Sequence, residues 1–274
     1  FKELKEQGYV ELLASAATNS FFPVYSEYPI AINAQIEVGI QTFIEVFGYE
    51  PDGFWLPECG YYPGLEKILA KHNISYIPAS SQSVLFSETR CDTGVYRPVR
   101  TDNGVSIFPR DYQTTSLVWS NDGYPSSKEY REFYRDIGYD LPIDYIGPYI
   151  HEPEVRVFTG FKYWAITQKG PDKNYYDKDK AMKVAEQHAL NYIYNIAQKG
   201  RAVRPNLNGQ DPLFTLCFDA ELFGHWWYEG LKWLETIITE QNSECSLVSL
   251  VSPKDFINNE YKNFQILKPC LSSW

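Results

Sequence analysis

Apolar positions along this chain switch repeatedly between two spacings. Between Ala31 and Phe47, the residues Ile36, Ile40, Phe43, Ile44 and Phe47 recur three or four apart, and Gly48 closes the run. That is the spacing of one helix face with a glycine stop. Gly53–Pro57 (GFWLP) is a short continuous apolar run and reads as a buried strand. Pro63 then marks the start of a helix with Leu65, Ile68 and Leu69 as its stripe and His72–Asn73 as its end. Ser75–Pro78 and Val105–Phe108 read as strands, and Tyr9–Ala14 fits a shorter one. Lys180–Lys199 is the clearest helix, with Met182, Ala185, Ala189, Tyr192, Ile193 and Ile196 on one face. Leu213–Phe218 and Ser246–Val251 are strand-like again, and Ser252–Pro253 offers a capping hydroxyl and a first-turn proline to a last helix.

Repeated strand-then-helix order predicts an α/β fold of parallel strands joined by crossovers. A barrel and a doubly wound sheet both fit, and each presents reactive groups at the carboxyl ends of its strands. Two stretches lack periodicity, Ser80–Val105 and Asn121–Arg156. Their aromatic content fits packed loops better than disorder.

Acids stand at those strand ends. Glu58 follows GFWLP directly, and Asp219 follows LFTLCF directly, with Glu221, His225, Trp226, Trp227 and Tyr228 close behind. For a lone acid after a strand, packing is the usual explanation. Here the aromatic cluster favours a sugar-cleaving site, in which carboxylates do the chemistry and flat rings meet the C–H faces of glucose. Glu58 and Asp219 are the candidate catalytic pair. A retaining mechanism needs them about 5–5.5 Å apart, with one ionised and the other protonated near neutrality. Arg110–Asp111, after VSIFP, is a third charged strand end. Arg110 either steadies Glu58, binds a sugar hydroxyl or belongs to a surface ion pair. Lys162 and Trp164, in FTGFKYW, offer a donor and a ring for another subsite or simply an edge strand. His225 begins a helix on this reading, and of Trp226 and Trp227 one packs inside while the other reaches a cleft.

Composition narrows the partners. With 274 residues a sizeable core is within reach, and 16% of residues are aromatic, including 22 Tyr and 7 Trp. A net charge of −10 speaks against nucleic acid and anionic membranes as partners and is indifferent to a neutral glycan. The five cysteines are scattered, without a C-x-x-C pair, and the four histidines are far apart, so no metal site or cofactor is indicated. No apolar run approaches a membrane span and no signal peptide is evident, which favours a cytosolic location.

SAATNSFFP, FGYEPDGFWLPECGYYPGLE, IFPRD, LVWSNDGYP, YREFYRDIG, FTGFKYWAIT and FDAELFGHWWYEG follow one another in this order. In them the chain resembles the family-57 glycoside hydrolases, and among these the 1,4-α-glucan branching enzymes. The resemblance implies an incomplete (β/α)7 TIM-like barrel and retaining chemistry without metal or organic cofactor. It places Glu58 at the nucleophile and Asp219 at the general acid/base. It places Trp55, Arg110, Asp111, Lys162, Trp164, Glu221, His225, Trp226 and Trp227 in substrate-lining stretches. Asn19 stands where a histidine is expected, and the stretch Ser81–Val95 matches a lid favouring transfer, with Tyr96 the nearest aromatic candidate. A first strand with a His-x-His motif and a C-terminal helical domain are expected in the family outside these residues. The expectation is therefore a single partial catalytic domain, weak or inactive alone. Its activity would be cleavage of α-1,4 links in a glycogen-like α-glucan with formation of α-1,6 branches. An α-glucan hydrolase or 4-α-glucanotransferase, and a non-catalytic glycan-binding relative, are the alternatives.

Overall fold

Five short strands among the described residues carry the regular part of the molecule: β1 (Ala14–Ser15), β2 (Phe54–Trp55), β3 (Tyr76–Ala79), β4 (Val99–Arg100) and β5 (Ser106–Pro109). The computed structural model describes residues 1–167, 172–241, 243 and 246–274, so Cys245 lies outside the described residues. These residues form two compact units, Phe1–Tyr112 with Gly200–Cys217 and Val251–Trp274, and Gln113–Lys199 with Phe218–Leu250.

In the first unit the pairing is mostly parallel, as the strand-then-helix order predicts. β1 pairs with β2 and β3 with β5, both parallel, and β4 runs antiparallel on the far side of β5. Gly53 bridges to Tyr76 in parallel, which links the two sets. The helix between β1 and β2 spans Pro29–Phe47 and ends on Gly48 in the left-handed conformation, with φ 83°. Only glycine adopts that at little cost. Gly39, in the same helix, has no room for a side chain, because a Cβ there would stand 2.0 Å from the Ser15 carbonyl oxygen. The helix backbone therefore rests directly on β1. Leu65–Lys71 forms a further helix, and Ser252 caps the helix Pro253–Glu260 by accepting from the Asp255 N–H. One aliphatic core joins these elements, including Ile32, Ile36, Leu56, Leu65, Leu69, Ile77 and Ile107.

Three strands expected from the sequence differ. Tyr9–Ala14 contributes only its last residue to β1. Leu213–Phe218 makes a single parallel bridge, Thr215 to Arg110. Its backbone bonds run to two different segments, Leu213 N to Tyr96 O and Asp111 N to Thr215 O, so no ladder forms. Ser246–Val251 is not a strand, and Leu247, Leu250 and Val251 are exposed. Gln241 Oε1, not a partner strand, receives the Leu250 N–H. β4 was not foreseen, being two residues long inside a polar stretch.

The second unit is built differently. Its long helix, Lys178–Val203, continues slightly beyond the predicted Lys180–Lys199 at both ends, and Asp177 accepts from the Lys180 N–H at its start. Ala181, Ala185 and Ala189 form a fully buried small-residue face on it, next to Tyr192. Tyr192 meets Trp233 of the helix Gly230–Glu240 at 4.9 Å, and Trp227, Phe223 and Phe218 surround the same indole. Residues 121–156 contain only single helical turns, among them Ile137–Asp140 and Ile143–Ile146.

Candidate active site

Glu58 sits on a single helical turn, Pro57–Cys59, immediately after β2. Its backbone is left-handed, with φ 57°, and Cys59 follows with φ 49°. Two successive non-glycine residues in that region store strain of about 1–3 kcal/mol each. The turn is held by bonds from Cys59 N to Leu56 O and Gly60 N to Pro57 O. It turns the Glu58 side chain to solvent while Pro57 and Cys59 on either side are buried.

A residue that sequence reasoning did not select completes this half-site. The Trp274 backbone N–H donates to Glu58 O at 3.1 Å, and its indole Nε1–H donates to Glu58 Oε2 at 2.8 Å. The indole also meets Trp55 edge-on at 5.2 Å, and the Arg110 guanidinium lies 4.8 Å from its centre. Ser272 anchors the segment by exchanging both backbone bonds with Tyr61. A tryptophan 216 residues downstream of Glu58 carries no local signal of this pairing. Of the predicted residues, Trp55 and Arg110 thus gather around Glu58, through Trp274. Arg110 Nε is buried without a hydrogen-bond partner among the described residues. Asp111 is buried, 1% exposed, and its backbone is tied to Thr215.

Behind the turn, Cys59 is hydrogen-bonded through its thiol to Cys217. That hydrogen bond and burial push the Cys59 thiol well above its ordinary range. Asn19 is exposed at a left-handed position, φ 53°, and its N–H donates to Ala16 O. Tyr96 packs edge-on against Phe214 at 5.8 Å, and the exposed ring in Ser81–Val95 is Phe86, which the sequence reading passed over.

In the second unit, Asp219 is exposed at the head of a single turn, Ala220–Leu222, and its carbonyl accepts from Leu222 N. The expected helix at His225 does not form. Leu222 O accepts from Trp227 N, Glu221 O from Trp226 N and Trp227 O from Gly224 N, making a tight loop in which Gly224 takes φ 93°. A left-handed glycine there ends any helix before Gly230. The two tryptophans divide as predicted in burial: Trp227 is 2% exposed and Trp226 46%. Glu221 and His225 are exposed, and His225 lies 5.4 Å from Phe133.

Lys162 and Trp164 are committed to the protein. Lys162 Nζ donates to Phe133 O and pairs with Asp136 at 3.6 Å. Trp164 Nε1 donates to Asp140, and its ring stacks on Tyr175 at 5.0 Å and 9°. A lysine whose side chain is 9% exposed and whose ammonium is doubly engaged is a structural cation. Among the described residues no group of three His, Cys, Asp or Glu side chains is placed to hold a metal, and no helix is long and apolar enough to cross a membrane.

The chain matches a known family along almost its entire length. The profile of Glycosyl hydrolase family 57 covers residues 1–268. The chain belongs to glycosyl hydrolase family 57. It is 34% identical over 270 residues to the 1,4-alpha-glucan branching enzyme TK1436 of Thermococcus kodakarensis, covering 86% of this chain and 36% of that protein. Its structure is similar to that of the alpha-amylase AmyC of Thermotoga maritima, with a TM-score of 0.93 and 40% identity over 100% of this chain and 53% of AmyC. It is also similar to the crystal structure of TK1436 in complex with glucose and additives, with a TM-score of 0.83, 30% identity and 51% of that chain covered. The chain thus spans between about a third and about half of the relatives it matches.

Proposed function

We propose that this chain carries the catalytic centre of an α-glucan transglycosylase of the branching type. It cleaves α-1,4 links by a retaining mechanism and passes the glucosyl group to a 6-hydroxyl, making α-1,6 branches in a cytosolic glycogen-like polymer. On this reading its parallel strands belong to a (β/α)7 barrel, Glu58 is the nucleophile and Asp219 the general acid/base.

The observation that carries the reading is the Glu58 turn. A strained left-handed backbone aims the carboxylate at solvent, and the Trp274 indole N–H binds Oε2. That leaves Oε1, which makes no hydrogen bond among the described residues, to attack the anomeric carbon. A nucleophile fixed in this way spends no rotamer freedom on reaching the reactive geometry. Asp219 would protonate the leaving oxygen and later take the proton from the accepting hydroxyl, as microscopic reversibility requires.

The similarity to AmyC favours a second reading, α-glucan hydrolysis on the same centre. Amylose–iodine absorbance read together with reducing ends separates the two. Branching shifts the iodine colour with little gain in reducing ends, and hydrolysis changes both. Glu58→Gln and Asp219→Asn are each expected to lower kcat by about 10²-fold or more. Turnover that survives both substitutions would end the assignment.

A further inference from the structure

Phe133 lies in an irregular stretch with no periodicity and no strand, yet it is one of the most firmly anchored positions in its unit. Its ring packs on Trp226 at 4.4 Å and 33°, and reaches His225 at 5.4 Å. Both rings keep open surface: Trp226 is 46% exposed and Phe133 is partly buried. The residues around Phe133 are fastened by charges withdrawn from water. Glu229 is completely buried, and its Oε1 accepts from the Arg131 N–H at 3.0 Å. Its Oε2 is buried without a hydrogen bond among the described residues, beside the Tyr176 hydroxyl, which burial and this carboxylate push up. Glu132 pairs with Lys173 at 2.8 Å, with both side chains near 12% exposed or less. Lys162 binds the Phe133 carbonyl and lies 5.1 Å from its ring, with the fully buried Asp136 as counter-ion.

Buried charges are a costly way to stabilise a loop, and apolar replacements often do so better. What such anchors supply is a fixed position. Here they fix Phe133 against Trp226, which lies on the loop that begins at Asp219 and stays partly open. At 4.4 Å and 33° the two rings stack face to face, so Phe133 backs the indole, and the open indole surface is the kind that the C–H side of a glucose unit fits.

We propose that the Trp226 indole, backed by Phe133, is a platform for one glucose unit of an α-1,4-glucan, that Phe133 is a positioning residue for that indole, and that Glu229 is the positioning residue that holds Phe133 in place. This rests on the α-glucan reading above. Phe133 then sets affinity for the chain, not the rate of bond cleavage. Glu229 acts through Arg131, two residues from Phe133, and touches no sugar.

The test uses the purified protein with maltoheptaose. Intrinsic tryptophan fluorescence titrations in the Glu58→Gln background read binding, and steady-state kinetics in the Glu58 form separate KM from kcat. Phe133→Ala is expected to weaken binding and raise KM about tenfold, with kcat changed by about twofold at most. Phe133→Trp should restore the binding, which a purely structural role for the ring would not predict. Glu229→Gln should raise KM in the same direction without moving kcat. Should that variant fail to fold, the two Phe133 variants decide alone. Maltoheptaose binding unchanged in a folded Phe133→Ala overturns the platform while leaving the glucan reading intact. A folded wild type that neither binds nor turns over any α-glucan overturns both.

Discussion

The two units solve the problem of holding an acid-bearing loop in opposite ways. In the first, parallel strands and helices bury an aliphatic core, and the Glu58 turn hangs from β2 with backbone bonds on both sides. In the second, hardly any ladder exists around the Asp219 loop. Stacked rings and buried ions stand in for it: Trp227 and Trp233 with Tyr192, then Glu229, Asp136 and the Glu132–Lys173 pair. Non-directional aliphatic burial tolerates adjustment, whereas a buried carboxylate tolerates very little. The second unit therefore gains positional definition and becomes more sensitive to single changes and to acid.

The largest expected effect is Asp136→Ala. Its carboxylate accepts from Thr159 N and Oγ1, Gly138 N and Gly160 N, and faces Lys162. Removing it orphans those donors and leaves a buried ammonium unpaired, so urea unfolding should register a loss of about 3–5 kcal/mol. A loss under about 1 kcal/mol would mean that the anchors carry little. In the first unit, Ile77→Ala at the centre of β3 opens a cavity and is expected to cost about 2–4 kcal/mol. If it costs more than Asp136→Ala, the contrast in sensitivity is reversed.

Acid sharpens the comparison further. Burial alone would push the Asp136 carboxyl up, but the hydrogen bonds from Thr159, Gly138 and Gly160 outweigh it and hold it below its ordinary 3.8. Its stabilisation is thus complete above that value and is lost as pH falls through the lower folded pKa. His188 acts sooner. Burial lowers it from 6.5, and the Tyr130 hydroxyl lies 2.8 Å from Nδ1. The unfolded chain then binds the proton first, so stability begins to fall as pH drops through 6.5. Unfolding midpoints measured from pH 7.5 to 5 should decline, and His188→Gln should flatten the decline. An unchanged slope would exclude His188 as its source. The smallest effect is Ser252→Ala, which removes a cap from an exposed helix of the first unit and should cost about 1 kcal/mol. Thermal midpoints would read it, and a loss above about 2 kcal/mol would exceed what a cap supplies.

Legibility followed the same division. The helix stopped by Gly48, the strands around Phe54, Ile77 and Ile107, and the Ser252 cap are local patterns, and the structure keeps them. Leu213–Phe218 looks like a strand because burial alone makes a run apolar, but a strand needs a ladder, and among the described residues only Thr215 of this run makes a β-bridge. Gly224 is a single residue, yet its left-handed backbone converts an expected helix at His225 into a tight loop. Phe133 and Trp274 escaped notice because their partners lie 93 and 216 residues away. Lys162 and Trp164 were assigned to a sugar subsite by type, and the fold engages both with Phe133, Asp136 and Asp140.

By itself the sequence determined where most of the short segments turn, coil or extend, and which apolar runs end in acids, because those choices depend on neighbours within a few positions. The tertiary structure decided which side chains stand beside the acids: Trp274 on Glu58, and Phe133 on the loop that Asp219 opens. Such contacts arise from loop closures over a hundred residues or so, whose entropic cost varies only slowly with length. Many distant partners are therefore almost equally accessible to the chain, and only the packed structure selects among them.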